Sequence, residues 1–321
     1  MHSPQELREL VEQELNTISL PENPANLYEP VRYMFGIGGK RIRPVLTLMA
    51  GEIFQKSPEQ LIRIASAMEL FHNFTLMHDD IMDNAALRRG KPTVHEKWNN
   101  NTAILSGDIT FNVAYREIID SNPENLKPIL EVFNEIAFKV CEGQQWDMNF
   151  ETNDHVSRQD YLNMIELKTA WLLGGSLKIG AICAGAPESE QEKLFNTGIS
   201  MGMAFQLMDD ILDTFGNEEK VGKNIGGDIN ANKKTILLVT AFDKASEDQK
   251  NNLRQIMEGN DPDKVSRVKQ IFHELKVKEY AEKLMQDYYN HGINNINALE
   301  VEQEKKEPLK QLFQGLMGRE S

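Results

Sequence analysis

Cysteine, basic charge and long apolar runs are all scarce in this sequence of 321 residues, and each shortage excludes a class of protein. Its two cysteines, Cys141 and Cys183, are too few for a disulfide framework, so we expect a reducing compartment, the cytoplasm. Lysine and arginine number 35 against 49 acidic residues, and the net charge of −14 argues against a nucleic-acid partner. No apolar run approaches the roughly 20 residues that span a bilayer, so we expect no stable membrane insertion.

Alternating β-branched segments, the pattern of half-buried strands, are nearly absent as well. Apolar residues recur instead at helical spacing in segments 62–77, 130–141, 162–173, 194–212 and 236–242. The N-terminal segment MHSPQELRELVEQEL has an amphipathic helical pattern and not that of a signal peptide. Segments with proline or glycine, such as 21–30 and 89–92, separate the helical runs, and none is long enough for an interdomain linker. The sequence predicts one all-α domain over residues 1–321.

The most distinctive pattern is a pair of acidic clusters with the same arrangement. Asp79-Asp80-Ile81-Met82-Asp83 and Asp209-Asp210-Ile211-Leu212-Asp213 each lie inside an apolar helical segment. Carboxylates four residues apart share a helix face, with Cβ atoms about 5–6 Å apart, and their like charges repel. A divalent cation offsets that repulsion, and Mg²⁺ typically binds one or two carboxylates together with substrate phosphates. A solvated helix face explains one such cluster, whereas two clusters in apolar surroundings favour Mg²⁺ sites.

Basic residues that could bind a diphosphate surround these clusters. Lys40, Arg41 and Arg43 follow a glycine pair, where the backbone can approach an anion closely. Arg88 and Arg89 follow the first acidic cluster in the segment that leaves its helix, and arginine suits bidentate phosphate binding. Three further lysines, each of which alone would be an ordinary surface residue, are Lys168 in the middle of a predicted helix, Lys223 and Lys233.

Together these motifs resemble those of the trans-isoprenyl diphosphate synthases, the family that includes farnesyl and geranylgeranyl diphosphate synthases. The matching segments are GGKRIRP (38–44), HNFTLMHDDIMD (72–83), LRRGKPTVH (87–95), LKTA (167–170), FQLMDDILD (205–213) and GKNIGGDINANKKT (222–235). The resemblance implies a bundle of antiparallel helices around a deep central cavity, usually in a homodimer. It also implies an enzyme that joins dimethylallyl, geranyl or farnesyl diphosphate to isopentenyl diphosphate and releases inorganic diphosphate.

The resemblance further implies a role for each matching residue. Asp79, Asp83 and Asp209 would bind Mg²⁺ that bridges the allylic diphosphate, with Asp80, Asp210 and Asp213 in support. The allylic diphosphate would be held by Arg88, Lys168, Lys223 and Lys233, and isopentenyl diphosphate by Lys40, Arg43, His72 and Arg89. Thr169 and Gln206 would supply dipoles to the carbocation. One departure is Thr235-Ile236-Leu237-Leu238, where many relatives have a proline, and we expect it to affect helix geometry more than chemistry.

The residues before the first acidic cluster bear on product length. The growing chain would run from Asp79 down the same helix, past Thr75 and Phe74 and then Phe71. A small residue four positions before the cluster and an aromatic one five before resemble the archaeal geranylgeranyl synthases. We therefore expect a C20 product with Phe74 as the stop. Two alternatives are a C15 farnesyl product and a cavity floor on another helix, with Phe71 and Phe74 as ordinary core residues.

Two other functions share part of the pattern. A terpene cyclase would have the first acidic cluster, but its second metal motif usually differs from Asp209–Asp213 and it needs no GGKRIRP segment. A non-catalytic subunit of another synthase tends to lose one cluster, whereas this chain keeps both. Product analysis with one purified chain separates elongation, cyclisation and inactivity.

Overall fold

The computed structural model describes residues 1–153, 155–216, 225–259 and 262–318, and helices account for nearly all regular structure there. Sixteen α-helices lie within those ranges: α1 Pro4–Thr17, α2 Ala25–Gly36, α3 Ile42–Ile53, α4 Pro58–Met82, α5 Val94–Lys97, α6 Asn100–Asp120, α7 Leu126–Glu151, α8 Arg158–Ile165, α9 Trp171–Cys183, α10 Glu188–Phe215, α11 Gly227–Asn230, α12 Ile236–Lys244, α13 Glu247–Glu258, α14 Lys264–Glu274, α15 Val277–Asn297 and α16 Gln303–Met317. A π-helical turn, Glu166–Ala170, joins α8 to α9, and two short strands, β1 Leu87–Arg88 and β2 Lys91–Pro92, form a hairpin. The all-α fold class predicted from the sequence is confirmed. None of these helices is long and apolar enough to cross a membrane.

The chain divides into two compact units. Unit 1 comprises Met1–Phe133, Ser176–Glu192 and Glu300–Leu309, and unit 2 comprises Asn134–Gly175, Lys193–Leu299 and Lys310–Ser321. The single domain expected over residues 1–321 stays a prediction.

The core of unit 1 is built on α3 and α4, which bury side chains on most of their circumference. Helix α4 begins after Ser57, whose backbone N–H donates to Gln60 Oε1 at 3.3 Å, and Pro58 occupies the first helical position, where its missing N–H costs nothing. The helix ends at the first acidic cluster, since Asn84 adopts a left-handed φ of 49° that turns the chain away. The cluster therefore lies at the end of the helix.

Unit 2 has a core of its own around α10 and α12. Met203 and Leu207 of α10 pack with Ile236–Val239 of α12 and with Phe272 of α14, and all are buried. Thr235 caps α12, because its hydroxyl accepts a hydrogen bond from the Leu238 backbone N–H at 3.4 Å. This packing fixes the second acidic cluster, on the last two turns of α10, against the start of α12.

Two local predictions were wrong. Segment 21–30 was expected to break helical structure, but α2 begins at Ala25 and includes the buried Pro30, whose ring removes only one hydrogen bond near the start of the helix. The segment after α4 was expected to be a loop, but it forms a hairpin in which Arg89 and Gly90 have φ of 53° and 76°, the pair of positive φ angles that a two-residue hairpin turn requires. Lys168 lies in the middle of a helical run, as expected, and within that run it belongs to the π turn.

Candidate active site

The first acidic cluster separates its aspartates into an inner and an outer set. Asp80 is buried, and Arg88 Nε donates to both of its carboxylate oxygens at 2.9 Å while Arg88 Nη2 donates to Oδ1 at 2.6 Å. Asp79 is half-buried and Asp83 is exposed. Since Asp79 and Asp83 are one turn apart, with Asp83 N–H bonded to Asp79 O at 2.8 Å, they share the outer face of the helix end.

The second cluster repeats this division. Asp210 is buried and accepts hydrogen bonds from Tyr161 Oη, from the Ile236 backbone N–H at 3.1 Å and from Gln206 Nε2 at 3.3 Å. Burial raises the pKa of Asp210 to about 7, even though these hydrogen bonds oppose the shift. Asp209, in contrast, is exposed on the outer face of α10.

Asp213 is half-buried and ties the end of α10 to the segment that follows. Its Oδ2 accepts the Asp228 backbone N–H at 2.9 Å, and its own carbonyl oxygen accepts the Gly226 N–H at 2.6 Å. The supporting role that the resemblance implies for Asp213 stays a prediction.

The outer aspartates fit Mg²⁺ as partial ligand sets. They offer hard carboxylate oxygens in pairs, the donors that Mg²⁺ takes. Within the described ranges, no three His, Cys, Asp or Glu side chains converge into a complete metal site. Diphosphate oxygens and water would therefore have to complete the coordination, which is how Mg²⁺ is usually held beside phosphates.

In unit 1, the residues expected to bind isopentenyl diphosphate gather around Gly39. A Cβ at position 39 would lie 2.6 Å from Arg89 Nη1, so the guanidinium of the hairpin arginine packs against the loop before α3. Arg43 Nε is buried and has no hydrogen-bond partner among the described residues. Burial and the positive charges of Arg43 and Arg89 lower the pKa of His72 well below 6.5, so His72 is neutral at pH 7. Lys40 is exposed in the same loop.

Arg41, the middle cation of the GGKRIRP segment, is a structural residue. Its side chain is buried, with Nη1 donating to Glu69 Oε1 at 2.7 Å, Nε to Glu12 Oε1 at 2.9 Å and Nη2 to the Phe35 carbonyl at 2.9 Å. Burial opposes its charge, but the hydrogen bonds and negative charges of Glu12 and Glu69 outweigh that effect and raise its pKa. Arg41 thus fixes the backbone between Lys40 and Arg43.

In unit 2, Lys168 and Thr169 project from the π turn toward two neighbouring helices. Lys168 Nζ donates to Asp147 Oδ2 of α7 at 2.6 Å, and Thr169 Oγ1 donates to Gln206 Oε1 of α10 at 3.3 Å. Gln206 connects in turn to Asp210. Lys233 is exposed in the loop between α11 and α12, and Lys223 lies outside the described residues.

The residues expected to limit chain length belong to an aromatic cluster of unit 1. Phe74 is half-buried and stacks on Phe111 of α6, with ring centroids 4.9 Å apart and planes at 16°. Phe71 is fully buried and contacts Phe74, Phe111 and Phe133 at centroid distances of 5.6, 5.5 and 5.5 Å. Thr75 donates its hydroxyl to the His72 carbonyl at 2.8 Å. Phe71 is therefore a core residue, whereas Phe74 lies at the accessible edge of the cluster.

Comparison with known proteins identifies the family. A model of the polyprenyl synthetase family matches residues 24–275. The chain belongs to this family. The polyprenyl synthetase chain is 36% identical over 298 residues to a short chain isoprenyl diphosphate synthase of Methanothermobacter thermautotrophicus. The aligned residues cover 92% of this chain and 91% of that protein. It is 35% identical over 283 residues to a geranylgeranyl diphosphate synthase of Saccharolobus solfataricus, with 86% and 84% covered. A crystal structure of a geranylgeranyl pyrophosphate synthase matches with a TM-score of 0.95 at 42% identity and covers 100% of both chains.

The family resemblance predicted from the sequence is confirmed, and the chain is an enzyme of the trans-prenyltransferase family. Sequence reasoning missed several residues of this polyprenyl synthetase site that act through tertiary contacts: Glu69, Phe111, Asp147 and Tyr161. These residues are distant in sequence from the motifs that they contact, so no local signal pointed to them.

Proposed function

We propose that this enzyme condenses isopentenyl diphosphate with an allylic diphosphate (dimethylallyl, geranyl or farnesyl diphosphate) to a short-chain trans-prenyl diphosphate, C20 rather than C15. The observation that carries the proposal is the repeated acidic cluster, in which an inner aspartate is held by the protein and outer aspartates lie on the more exposed helix face. The C20 product is supported by relatives that are named geranylgeranyl synthases.

Mg²⁺ is the proposed cofactor, and Asp79, Asp83 and Asp209 would hold it. Bound Mg²⁺ supplies Lewis-acid neutralisation of the diphosphate charge that develops when the allylic C–O bond breaks. The inner aspartates keep the outer ones in place, because Asp80 is anchored to Arg88 and Asp210 to Tyr161 and to the start of α12.

The enzyme's own cations would bind and orient the allylic diphosphate. Lys168 is held by Asp147 and Arg88 by Asp80, so both positive charges have fixed positions before substrate arrives. Charges fixed in advance stabilise a developing anion without reorganisation during the reaction. Lys233, exposed in its loop, and Lys223 complete the proposed set.

The reaction itself needs dipoles and not a nucleophilic side chain. The electron pair of the allylic C–O bond leaves with the diphosphate, the allylic carbon bonds to the terminal alkene carbon of isopentenyl diphosphate, and a proton is lost to form the new double bond. The oxygen atoms of Thr169 and Gln206, hydrogen-bonded to each other, offer negative dipole ends to the cation. Lys40, Arg43, Arg89 and neutral His72 would hold the second diphosphate.

One purified chain supplied with Mg²⁺ and both substrates tests this function. We expect linear prenyl diphosphate in liquid chromatography with mass detection, and a cyclic hydrocarbon or no product would favour a terpene cyclase or a non-catalytic subunit. Asp79→Ala and Asp209→Ala should nearly abolish turnover while the circular dichroism spectrum stays that of the wild type. Asp287→Ala, on an exposed part of α15, is the matched control and should keep full activity. Strong turnover after removal of divalent cations would contradict the metal assignment.

We also propose that the enzyme acts as a homodimer in the cytoplasm. Several large apolar side chains are strongly exposed, among them Leu105 of α6 at 58% and Phe138 of α7 at 69%, and exposed apolar surface is typical of association sites. Free thiols at Cys141 and Cys183 suit a reducing compartment. Sedimentation velocity at micromolar concentration should give a dimer, and Leu105→Lys should shift it toward monomer. A wild-type monomer under those conditions would contradict the dimer.

A further inference from the structure

The π turn of unit 2 is contacted closely by a glycine of α7. A Cβ placed on Gly143 would lie 2.3 Å from the Lys168 backbone nitrogen and 2.7 Å from the Lys168 Cα. Both atoms belong to the main chain, so no side-chain rotation can relieve the contact. Any larger residue at position 143 must push apart α7 and the turn that carries Lys168.

A second glycine contacts the same turn from α10. A Cβ on Gly202 would lie 2.6 Å from the Ala170 Cα and 2.8 Å from the Ala170 Cβ. The five-residue turn Glu166–Ala170 thus lies between two helices. At each contact the helix residue is a glycine, so no side chain separates the helix backbone from the turn. Such an approach fixes its position more closely than contacts between flexible side chains would.

Each glycine is followed one helical turn later by the polar partner of a site residue. Asp147 accepts the Lys168 ammonium at 2.6 Å, and Gln206 accepts the Thr169 hydroxyl at 3.3 Å. Residues four apart share a helix face, so each helix presents its glycine and its polar partner to the turn together. On each helix, the close backbone contact with the turn and the hydrogen bond to its side chain are therefore made by the same helix face.

The turn itself is a π turn, in which the Trp171 N–H bonds to the Glu166 carbonyl five residues earlier. Such turns are rare and occur mostly at functional sites, because the additional residue redirects side chains that a regular helix would place elsewhere. Here the redirected residues include Lys168 and Thr169, which the proposed function assigns to the allylic diphosphate and the carbocation.

We propose that Gly143 is a positioning residue for the allylic substrate, and that Gly202 does the same from α10. The proposal rests on the proposed function, since it gives Gly143 an effect on catalysis only through Lys168. A methyl group at position 143 displaces the Lys168 backbone, and a displacement of about 1 Å in a positioning group can cost about 100-fold in rate. We therefore expect Gly143→Ala to lower kcat/KM for the allylic substrate about 10- to 100-fold, with KM for isopentenyl diphosphate unchanged.

A double-mutant cycle distinguishes positioning from general damage to the fold. If Gly143 acts through Lys168, the variant Gly143→Ala/Lys168→Ala should be no slower than Lys168→Ala alone, because coupled residues are not additive. Losses that multiply in the double variant would overturn the proposal. Gly202→Ala with Thr169→Val forms the equivalent cycle on α10.

Gly315→Ala is the matched control. Gly315 lies in α16, and a Cβ there has no atom within 4 Å, so its activity and melting temperature should match the wild type. If Gly143→Ala does not accumulate as folded protein, the α10 cycle decides, and failure of both variants to fold would overturn positioning in favour of a purely structural role. A wild-type enzyme without prenyl transfer would refute the proposed function, whereas an active wild type with a fully active Gly143→Ala variant would refute this inference alone.

Discussion

The buried charge of Arg41 should make it one of the most stability-sensitive residues of unit 1. The change we consider is Arg41→Met, which removes the guanidinium and keeps an unbranched apolar chain. It leaves Glu69, whose side chain is 2% exposed, without the hydrogen bond that Arg41 Nη1 supplies at 2.7 Å. Glu12 loses its ion pair with Arg41 as well, but that side chain is 35% exposed, so water can solvate its charge.

Removal of one partner from a buried ion pair costs about 3–5 kcal/mol in the free energy of unfolding, because the remaining charge is left uncompensated. Almost all of that cost should come from Glu69. For large domains a loss of 1 kcal/mol lowers the melting temperature by about 2–4 °C. At about 2 °C per kcal/mol, we expect Arg41→Met to melt roughly 6–10 °C below the wild type.

The double variant Arg41→Met/Glu69→Met separates the cost of an unpaired charge from the loss of packing. Replacement of a whole buried ion pair by apolar residues is often nearly neutral, so the double variant should recover most of the lost stability. Arg63→Met is the control. Glu117, the partner of Arg63 at 2.9 Å, also accepts from Arg116 Nη2 at 3.2 Å and so stays paired.

Thermal and urea unfolding followed by far-ultraviolet circular dichroism measure these differences. A melting temperature of Arg41→Met within about 2 °C of the wild type would refute the assigned role of Arg41. So would a double variant that is less stable than the single one, since the loss would then arise from packing and not from the charge on Glu69.

Three further predictions concern substrate, product and pH. Arg43→Ala should raise KM for isopentenyl diphosphate more than KM for the allylic substrate in steady-state kinetics, and equal increases would contradict the assignment of Arg43. Phe74→Ala opens the accessible edge of the aromatic cluster above Phe111, so chromatography should show products longer than C20, and unchanged chain length would place the floor elsewhere. Burial and nearby arginines lower the pKa of His72 in the folded state. As the pH falls, the unfolded chain therefore binds the proton before the folded chain does. The stability that His72 contributes is complete above pH 6.5 and is lost as the pH falls below it. The free energy of unfolding should therefore fall less steeply below pH 6.5 in His72→Gln than in the wild type, with a difference in slope of up to about 1.4 kcal/mol per pH unit. Thermal unfolding measures both profiles, and parallel profiles would contradict this.

The helices that carry the acidic clusters could be predicted because their apolar residues recur with the helical period. Residues 62–77 fall within α4 and residues 194–212 within α10, as expected. The family and the fold class followed from motifs that are local in the sequence. Features that repeat along the chain, or that lie within one turn of a helix, could therefore be predicted from the sequence.

The contacts that fix the site were not predictable, because they join residues that are distant in sequence. Arg41 looked like one more phosphate-binding cation until Glu69, 28 positions later, was found against its guanidinium. The π turn has no local signal either, since its additional residue is accommodated by Gly143 of α7 and Gly202 of α10. In both cases a tertiary contact decides what a locally ambiguous segment does.

The division of each acidic cluster into inner and outer aspartates depends on the contacts that hold the second aspartate. Successive residues of an α-helix are separated by about 100°, so the second aspartate of each cluster lies about 100° around the helix from the first and about 60° from the last. In the structure that second position is buried in both units, where Asp80 accepts hydrogen bonds from Arg88, and Asp210 from Tyr161 and Ile236. A carboxylate held in this way is an anchor for the helix end. Under the proposed function, one turn of helix therefore combines two tasks: attachment through the second aspartate of each cluster, and metal binding through Asp79 and Asp83 in the first cluster and Asp209 in the second.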